Sequence, residues 1–196
     1  ASHELRTPIT IVLAEIDYML MEDRTKKEYH QLLSTLSKDL RDFNDSLNAL
    51  FYLALASNET RPFEKQLFRI DELLIVARKE ITKTHGEYDV HLSFNNLPEE
   101  EEKLQLFGNE SLIKIAFKNL IDNGCKFSVN KSIKVIFSIE DCIKISFIDN
   151  GIGIPKEEIQ NIFQPFYRGK NAKFIAGHGL GLSLIKKTVE LHNGVI

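Results

Sequence analysis

Near the start of the chain a histidine with an acidic neighbour stands in the sequence Ser-His-Glu-Leu-Arg-Thr-Pro, with the histidine at position 3. A histidine that accepts a phosphoryl group must be exposed, and it needs a base to take its second proton. On a helical wheel His3 lies about 200° from the core-facing leucine two positions later, so we expect it on the solvent side. Glu4 adjoins His3, Thr7 lies one turn below on the same face, and Pro8 should loosen the helix there. An isolated histidine beside a glutamate is usually an ordinary surface residue, so this interpretation depends on the rest of the chain.

Two asparagines, Asn119 and Asn123, are spaced four residues apart in a segment with helical apolar periodicity. Both amides should therefore face the same way. Mg²⁺ takes a few oxygen ligands from a protein and keeps its other positions for phosphates and water. For an isolated pair, hydrogen bonds to neighbouring loops would be the commoner role. Lys126 lies on the next turn and can pair with phosphate oxygens, and Phe127 suits stacking against a base as well as it suits a place in the core.

The sequence Asp149-Asn-Gly151-Ile-Gly153 directly follows an apolar strand. A carboxylate at this position can accept a hydrogen bond from the exocyclic amino group of adenine. The glycines allow the backbone to approach the base closely. Asp-Asn-Gly is also typical of a type I′ turn, but no second strand resumes after it.

A second group of glycines, Gly177, Gly179 and Gly181, directly precedes a helical segment. Backbone N–H groups at the start of a helix bind phosphates. The spacing G-x-G-x-G differs from the dinucleotide fingerprint and from the Walker sequence, so both of those folds lose support.

Between the glycine groups, residues 154–176 form a loop long enough to be a functional lid. Phe163 and Phe166 would anchor this lid. Arg168 could reach a γ-phosphate and neutralise charge in a transition state. The neighbouring lysines, Lys170 and Lys173, fit a solvated basic loop better.

These residues require two kinds of structure to position them. Residues 8–57 carry an apolar stripe at helical spacing, interrupted by the polar residues 22–27, which predicts two helices in an antiparallel hairpin. The stripe on the second helix alternates steps of three and four, as in a heptad seam. Because one hairpin cannot bury this seam alone, we expect two copies to form a four-helix bundle in a homodimer.

Residues 57–62 break the helical pattern and mark a domain boundary. We predict a helical domain at 1–58, a linker at 59–67 and a second domain at 68–196, which the family resemblance described below implies to be a dimerisation and phosphotransfer domain and an ATP-binding domain. In the third segment helices are expected at 70–81, 112–127 and 180–191, and strands at 90–94, 133–139 and 143–148. The predicted fold class is a helical hairpin followed by a two-layer α+β sandwich with helices on one face of a mixed sheet.

Composition excludes several function classes. The formal net charge of -3 gives no general attraction to nucleic acid or acidic lipid. The two cysteines are too few for a disulfide framework and indicate reduced thiols in the cytosol. No apolar run of about 18 residues is present, so this segment is not expected to contact a membrane directly. Both ends look cut, and a longer native protein is expected in both directions.

Together these segments resemble the catalytic core of sensor histidine kinases of two-component systems. Any one of the matching sequences alone is weak, whereas their shared order and spacing are specific. The matching segments are the H-box at 2–8, the N-box at 119–128, the first glycine box at 149–153, the F-box at 163–168 and the second glycine box at 177–182.

The resemblance implies an ATP-dependent kinase with ATP and Mg²⁺ as cofactors and a GHKL-type ATP-binding fold. It implies catalytic roles for His3 as phosphoryl acceptor, Glu4 as proton acceptor, Thr7 and Arg168. Asn123 would be a direct Mg²⁺ ligand, and Asn119 a ligand directly or through water. The nucleotide would contact Asn119, Asn123, Lys126, Phe127, Asp149, Gly151, Gly153, Ile154, Gly177, Gly179, Leu180 and Gly181.

The partner implied is the receiver domain of a response regulator, which would take the phosphoryl group on an aspartate. The Glu4-x-x-Thr7 sequence also matches the family's phosphatase signature. A membrane anchor is expected upstream of residue 1, with this part of the protein in the cytoplasm. The chain departs from the family at Gly124, where Ala is common, and in lacking a closing strand after Ile196.

Two other classes of protein share some of these features. ATPases of the chaperone and DNA-repair type have similar glycine boxes, but they carry Glu at the position of Asn119 and lack the His3 segment. A non-enzymatic dimerisation module would not need Asn123, Asp149 and the glycines, and a nucleotide-binding measurement separates it from a kinase.

Overall fold

The computed structural model describes residues 2–56, 64–172, 175, 177 and 179–196. The chain forms two compact units, Ala1–Phe51 and Tyr52–Ile196. None of the helices in the described part is long and apolar enough to cross a membrane.

The N-terminal unit contains two helices, α1 (Ser2–Leu20) and α2 (Lys26–Ala56), as the apolar periodicity predicts. The start of α2 is fixed by a capping box. The Thr25 hydroxyl accepts from the backbone N–H of Glu28 at 3.3 Å, and the Glu28 carboxylate accepts from the backbone N–H of Thr25 at 2.8 Å. Two N–H groups that lack partners in the first turn are thereby satisfied.

The predicted apolar seam is largely exposed in the isolated chain. Among the described side chains of α2, Leu36 is buried, whereas Leu33 and Leu40 on the same stripe are exposed. On α1, Ile9 and Leu13 are exposed as well. The two helices confirm the hairpin's elements, and a large exposed apolar stripe is typical of an association surface.

From residue 64 onward, the described part of the C-terminal unit contains three helices, five strands and three short 3-10 helices. Most lie where the sequence pattern predicts them, with ends shifted by a few residues. The elements are β1 (Gln66–Arg69), α3 (Ile70–Thr84), β2 (Asp89–Asn95), β3 (Gln105–Gly108), α4 (Glu110–Phe127), β4 (Ser128–Ile139), β5 (Ile143–Gly151) and α5 (Gly181–Leu191).

The main sheet has three strands in the order β2-β4-β5. Strand β2 pairs parallel to β4, and β4 pairs antiparallel to β5 through the predicted hairpin, so the sheet is mixed as expected. Helices α3 and α4 cover it with a continuous core. Its buried members are Ile70, Leu73, Leu74, Ala77, Ile81, Val90, Leu104, Ile113, Phe117, Ile121, Cys125, Ile133, Val135 and Phe137.

A second, two-stranded sheet was not predicted. Strands β1 and β3 pair antiparallel, with Gln66 opposite Gly108. Strand β1 begins inside the segment predicted as a linker, so the C-terminal unit includes residues 66 and 67. Each strand has only four residues, which is too short for a period of two to be recognised.

Gly124, the residue that departs from the family pattern, lies on the buried side of α4. A Cβ at this position would come 2.1 Å from Cδ1 and 2.8 Å from Cγ1 of Ile133 on β4. An alanine here would force Ile133 to move, so glycine and isoleucine are matched across this helix–sheet contact.

A histidine connects the end of α5 to the start of α4. His192 Nε2 accepts from the backbone N–H of Asn109 at 2.9 Å, and Nδ1 donates to the carbonyl of Thr188 at 2.7 Å. This arrangement requires the neutral ring, because a protonated ring has no acceptor nitrogen. Burial lowers the pKa of His192 from its ordinary 6.5. The charge of Lys65 also lowers this pKa, whereas the hydrogen bond to Thr188 raises it and offsets part of the change.

We therefore expect the C-terminal unit to lose stability in mild acid. His192 binds a proton less readily in the folded state than in the unfolded chain. Its contribution to the free energy of unfolding is therefore complete above about pH 6.5 and is lost as the pH falls through the lowered pKa of the folded state. His192→Gln should reduce this pH dependence and cost about 1 kcal/mol near neutrality through the altered hydrogen bonds. Urea unfolding at several pH values measures both effects. His30→Gln, at an exposed site on α2, is the control, and an unchanged pH dependence in His192→Gln would contradict the assignment.

Candidate nucleotide-binding site

The polar face of α4 forms one wall of the candidate site. The helix begins at an Asn109 cap, whose side chain accepts from the backbone N–H of Leu112 at 2.9 Å. Its apolar face enters the core, with Ile121 and Cys125 fully buried. Asn119 and Asn123 lie between the buried and exposed sides and are half-buried. The amphipathic spacing of α4 thus presents both amides to the same neighbour, as the four-residue step predicts.

That neighbour is the first turn of α5. Asn119 donates from Nδ2 to the carbonyl of Ile115 at 2.9 Å, so its Oδ1 points away from that carbonyl. A Cβ on Gly181 would lie 2.9 Å from Asn119 Oδ1 and 3.7 Å from Asn123 Nδ2. The missing side chain at Gly181 therefore keeps open the space between these two amides and the start of α5.

This space suits Mg²⁺ in contact with phosphates. Asparagine oxygens are ligands of the type that Mg²⁺ accepts, and phosphates or water would complete its coordination. Asn119 presents its Oδ1 to this space, whereas Asn123 presents Nδ2, so the Asn123 amide has to turn over to bind the ion through its oxygen. The described residues contain no cluster of three or more His, Cys, Asp or Glu that could hold a metal without such help. The residues present therefore fit a magnesium ion that arrives with a nucleotide.

The second glycine segment lies against both α4 and the lid. Lys126 Nζ would be 3.3 Å from a Cβ on Gly177, so this ammonium group lies beside the glycine backbone. Gly179 has a φ of +70°, and a Cβ there would come 2.7 Å from the carbonyl oxygen of Tyr167. Its own carbonyl accepts from the backbone N–H of Phe166 at 2.8 Å. Glycine is required at 179 for both its conformation and the close approach.

The end of β5 brings the first glycine segment to the C-terminus of α4. A Cβ on Gly151 would lie 2.5 Å from the carbonyl oxygen of Phe127, and Ile152 donates its N–H to the same carbonyl at 3.3 Å. Asp149 is exposed, and its Oδ1 accepts from the backbone N–H of Gly151 at 2.8 Å. Its other oxygen, Oδ2, has no hydrogen bond to a described residue and can accept one from a ligand.

The lid, residues 154–176, connects the first glycine segment to the second. Asn171 Nδ2 donates to the carbonyl of Gly153 at 2.9 Å. The Arg168 guanidinium donates to the carbonyls of Ala172 and Ile175 within the lid. In this conformation the Arg168 side chain is hydrogen-bonded to carbonyls of the lid, and it has to give up these hydrogen bonds in order to bind a phosphate.

The structure brings most predicted site residues of the C-terminal unit together. Gly153 has a φ of +67°, and a Cβ at this position would meet no other atom within 4 Å. Ile154 is exposed, and Phe127 is half-buried and lies outside the main core cluster. Leu180 is buried, so only its backbone is available to a ligand. The backbones of His3, Glu4 and Thr7 lie in α1, whereas their side chains lie outside the described residues.

Two residues of the lid region went unrecognised in the sequence. Glu158 is buried and Asn171 bridges to Gly153. Glu158 stands in a run of charged residues, which usually indicates a solvated surface. Asn171 carries no local signal, because its partner is distant in sequence.

Comparison with known proteins agrees with this geometry. The family described as histidine kinase-, DNA gyrase B- and HSP90-like ATPases matches residues 108–196. The sensor histidine kinase WalK of Bacillus subtilis is 30% identical over 206 residues, covering 100% of this chain and 32% of WalK. The signal transduction histidine-protein kinase ArlS of Staphylococcus aureus is 32% identical over 205 residues, covering 100% of this chain and 44% of ArlS. The chain thus spans less than half of these relatives.

Among solved structures, histidine kinase ThkA in complex with the response regulator protein TrrA has a similar fold. The TM-score is 0.70, with 22% sequence identity, and the match covers 98% of this chain and 53% of that chain.

Proposed function

We propose that this chain phosphorylates His3 from ATP. Residues 108–196 match the family of histidine kinase-, DNA gyrase B- and HSP90-like ATPases, and the whole chain is similar to part of the sensor histidine kinase WalK. The observation that carries the proposal is the convergence of three segments on one space. Asn119 and Asn123 face Gly181 across it, and Asp149 with Gly151 closes against the end of α4.

Each part of ATP has a counterpart in this site. Asp149 Oδ2 accepts from the adenine amino group, while Oδ1 remains held by the N–H of Gly151. The phosphates lie at the start of α5, where N–H groups without intrahelical partners face them. Lys126, beside Gly177, adds a positive charge. Asn123 and Asn119 would hold Mg²⁺ through their amide oxygens, and the ion would supply positive charge that neutralises the phosphates.

The chemical step forms one N–P bond and breaks one P–O bond. His3 Nε2 attacks the γ-phosphorus in line, and the β–γ bridging oxygen leaves with ADP. Phosphorylation leaves a positive charge on the ring, and Glu4 takes the proton from Nδ1. Arg168, released from its lid carbonyls, donates to the transferring group and stabilises its charge.

A second step would pass the phosphoryl group to an aspartate of a response-regulator receiver domain. The ThkA–TrrA complex supports a partner of this class. The exposed apolar stripes of α1 and α2 support a homodimer through a four-helix bundle. We further propose a phosphotransfer domain at 1–58 and an ATP-binding domain beyond the linker, in a protein anchored to the membrane upstream of residue 1.

Incubating the chain with Mg-ATP labelled on the γ-phosphate tests the proposal. Label should enter the protein in a form that is stable to base and labile to acid, as expected for phosphohistidine. It should then move to an added receiver domain. Binding of ATP without any incorporation of label would overturn the kinase assignment while leaving the nucleotide site in place.

Thr7→Ala should separate two activities on this helix face. The hydroxyl lies one turn from His3, where it can orient a water on a docked phosphorylated receiver, but it neither attacks ATP nor takes the proton. Receiver dephosphorylation should fall about ten-fold or more while His3 phosphorylation stays near normal. Helix stability should not suffer, because alanine has the higher helix propensity. Rates of both reactions on one preparation are the measurement, and equal dephosphorylation by both proteins would exclude this role for Thr7.

A further inference from the structure

A buried carboxylate lies in the loop that follows the first glycine segment. Glu158 is 4% exposed, although the next residue, Ile159, is 48% exposed. The preceding residues of the same 3-10 helix, Lys156 and Glu157, are also exposed. A surface segment normally exposes the glutamate and buries the isoleucine. Burying a carboxylate costs free energy unless it is hydrogen-bonded, so the inverted order indicates a specific role for Glu158.

The backbone of Glu158 is held firmly at the base of the lid. Its N–H donates to the carbonyl of Pro155 at 2.9 Å. Its carbonyl accepts from the N–H groups of Asn161 at 2.8 Å and Ile162 at 3.1 Å. The side chain therefore starts from a fixed point near the first glycine segment.

The carboxylate reaches across to the far part of the lid. Oε1 accepts from the backbone N–H of Lys170 at 3.4 Å. Oε2 is buried without a hydrogen-bond partner among the described residues, and it would lie 2.7 Å from a Cβ on Gly169. Glu158 thus contacts the peptide that joins Gly169 to Lys170, and the absence of a side chain at 169 is what admits it.

A second side chain joins the same two segments from the opposite direction. Asn171, one residue beyond Lys170, donates to the carbonyl of Gly153 at 2.9 Å. Residues 169–171 are therefore connected twice to residues 153–158. Because Gly169 directly follows Arg168, these contacts fix the backbone from which the Arg168 side chain extends.

We infer that Glu158 is a positioning residue for Arg168. It contacts neither the reacting atoms nor the nucleotide, and it acts by holding the Gly169–Lys170 peptide against the base of the lid. With that peptide fixed, Arg168 can exchange the carbonyls of Ala172 and Ile175 for the γ-phosphate without the lid backbone moving away. The inference rests on the role proposed above for Arg168.

Three variants of the whole chain test the inference. Glu158→Ala removes the contact, Glu158→Gln keeps an oxygen that can accept from Lys170, and Glu157→Ala is the control in the same 3-10 helix. Glu158→Ala should lower the rate of His3 phosphorylation at saturating ATP about ten-fold, while ADP affinity stays within about three-fold of wild type. Glu158→Gln should recover most of the rate, and Glu157→Ala should match wild type. Loss of ADP binding in parallel with the rate would overturn the inference.

Adding Arg168→Ala distinguishes positioning from a general loss of structure. If Glu158 acts through Arg168, Glu158→Ala should cause no further loss of rate in the Arg168→Ala background. Losses that multiply would show that Glu158 acts independently of Arg168, and would overturn the inference.

Limited trypsin digestion tests the contact without using the kinase reaction. Cleavage after Lys170 should be faster in Glu158→Ala than in wild type and in Glu157→Ala, because the lid backbone is less restrained. Equal cleavage would overturn the inference even if the chain is a kinase. Faster cleavage in a chain that never labels His3 would support the contact while rejecting the proposed function.

Discussion

Replacing His3 by glutamine is expected to abolish incorporation of phosphate from ATP, by a factor of about 1,000 or more. The glutamine amide has no nucleophilic nitrogen lone pair comparable with that of imidazole, so no N–P bond forms at this position. His3 lies in α1, whereas the residues proposed to bind the nucleotide lie in α4, at the end of β5 and at the start of α5, so ADP affinity should be unchanged. Scintillation counting of labelled protein and calorimetric titration with ADP measure the two effects on one preparation.

His30→Gln is the matched control, since it removes an exposed imidazole from α2 and leaves His3 in place. It should be labelled like wild type. Labelling of His3→Gln at the wild-type level would place the phosphoryl acceptor elsewhere and would contradict the central proposal. Loss of ADP binding in His3→Gln would instead show that the substitution damages the fold.

Asp149→Asn is expected to weaken ATP binding about thirty-fold or more, on the order of 2 kcal/mol. The amide oxygen can still accept from the N–H of Gly151, as Asp149 Oδ1 does at 2.8 Å, so the local backbone should persist. The amide nitrogen would then replace Oδ2 and place a donor against the donating amino group of adenine. Discrimination between ATP and GTP should fall for the same reason.

Titration of both nucleotides into wild type and Asp149→Asn measures affinity and selectivity together. Asp141→Asn, in the exposed turn between β4 and β5, makes the same chemical change away from the site and should bind ATP normally. Wild-type affinity and wild-type discrimination against GTP in Asp149→Asn would exclude Asp149 as the adenine acceptor.

The sequence predicts those parts of the fold that depend on local pattern. Helix α4 carries enough apolar residues at helical spacing for its type to be evident, and β4 with β5 is marked by β-branched residues on both sides of a polar turn. The shared face of Asn119 and Asn123 follows directly from helical geometry.

Features that depend on contacts between distant residues could not be predicted in this way. Strands β1 and β3 exist because they pair with each other, and neither has a pattern of its own. Burial of Glu158 is decided by Gly169, eleven positions later, and the tautomer of His192 is decided by the backbone N–H of Asn109, the residue that caps α4. Local propensity contains no information on such partners.

The hydrogen bond from Phe166 to Gly179 has a consequence for the entropy of nucleotide binding. It closes the far part of the lid into a loop of about a dozen residues, and the entropic cost of restricting a loop rises with its length. Residues before Phe166 are already fixed by the turns around Glu158. ATP therefore binds beside a lid whose two ends are already joined, and less of the binding free energy is lost as conformational entropy.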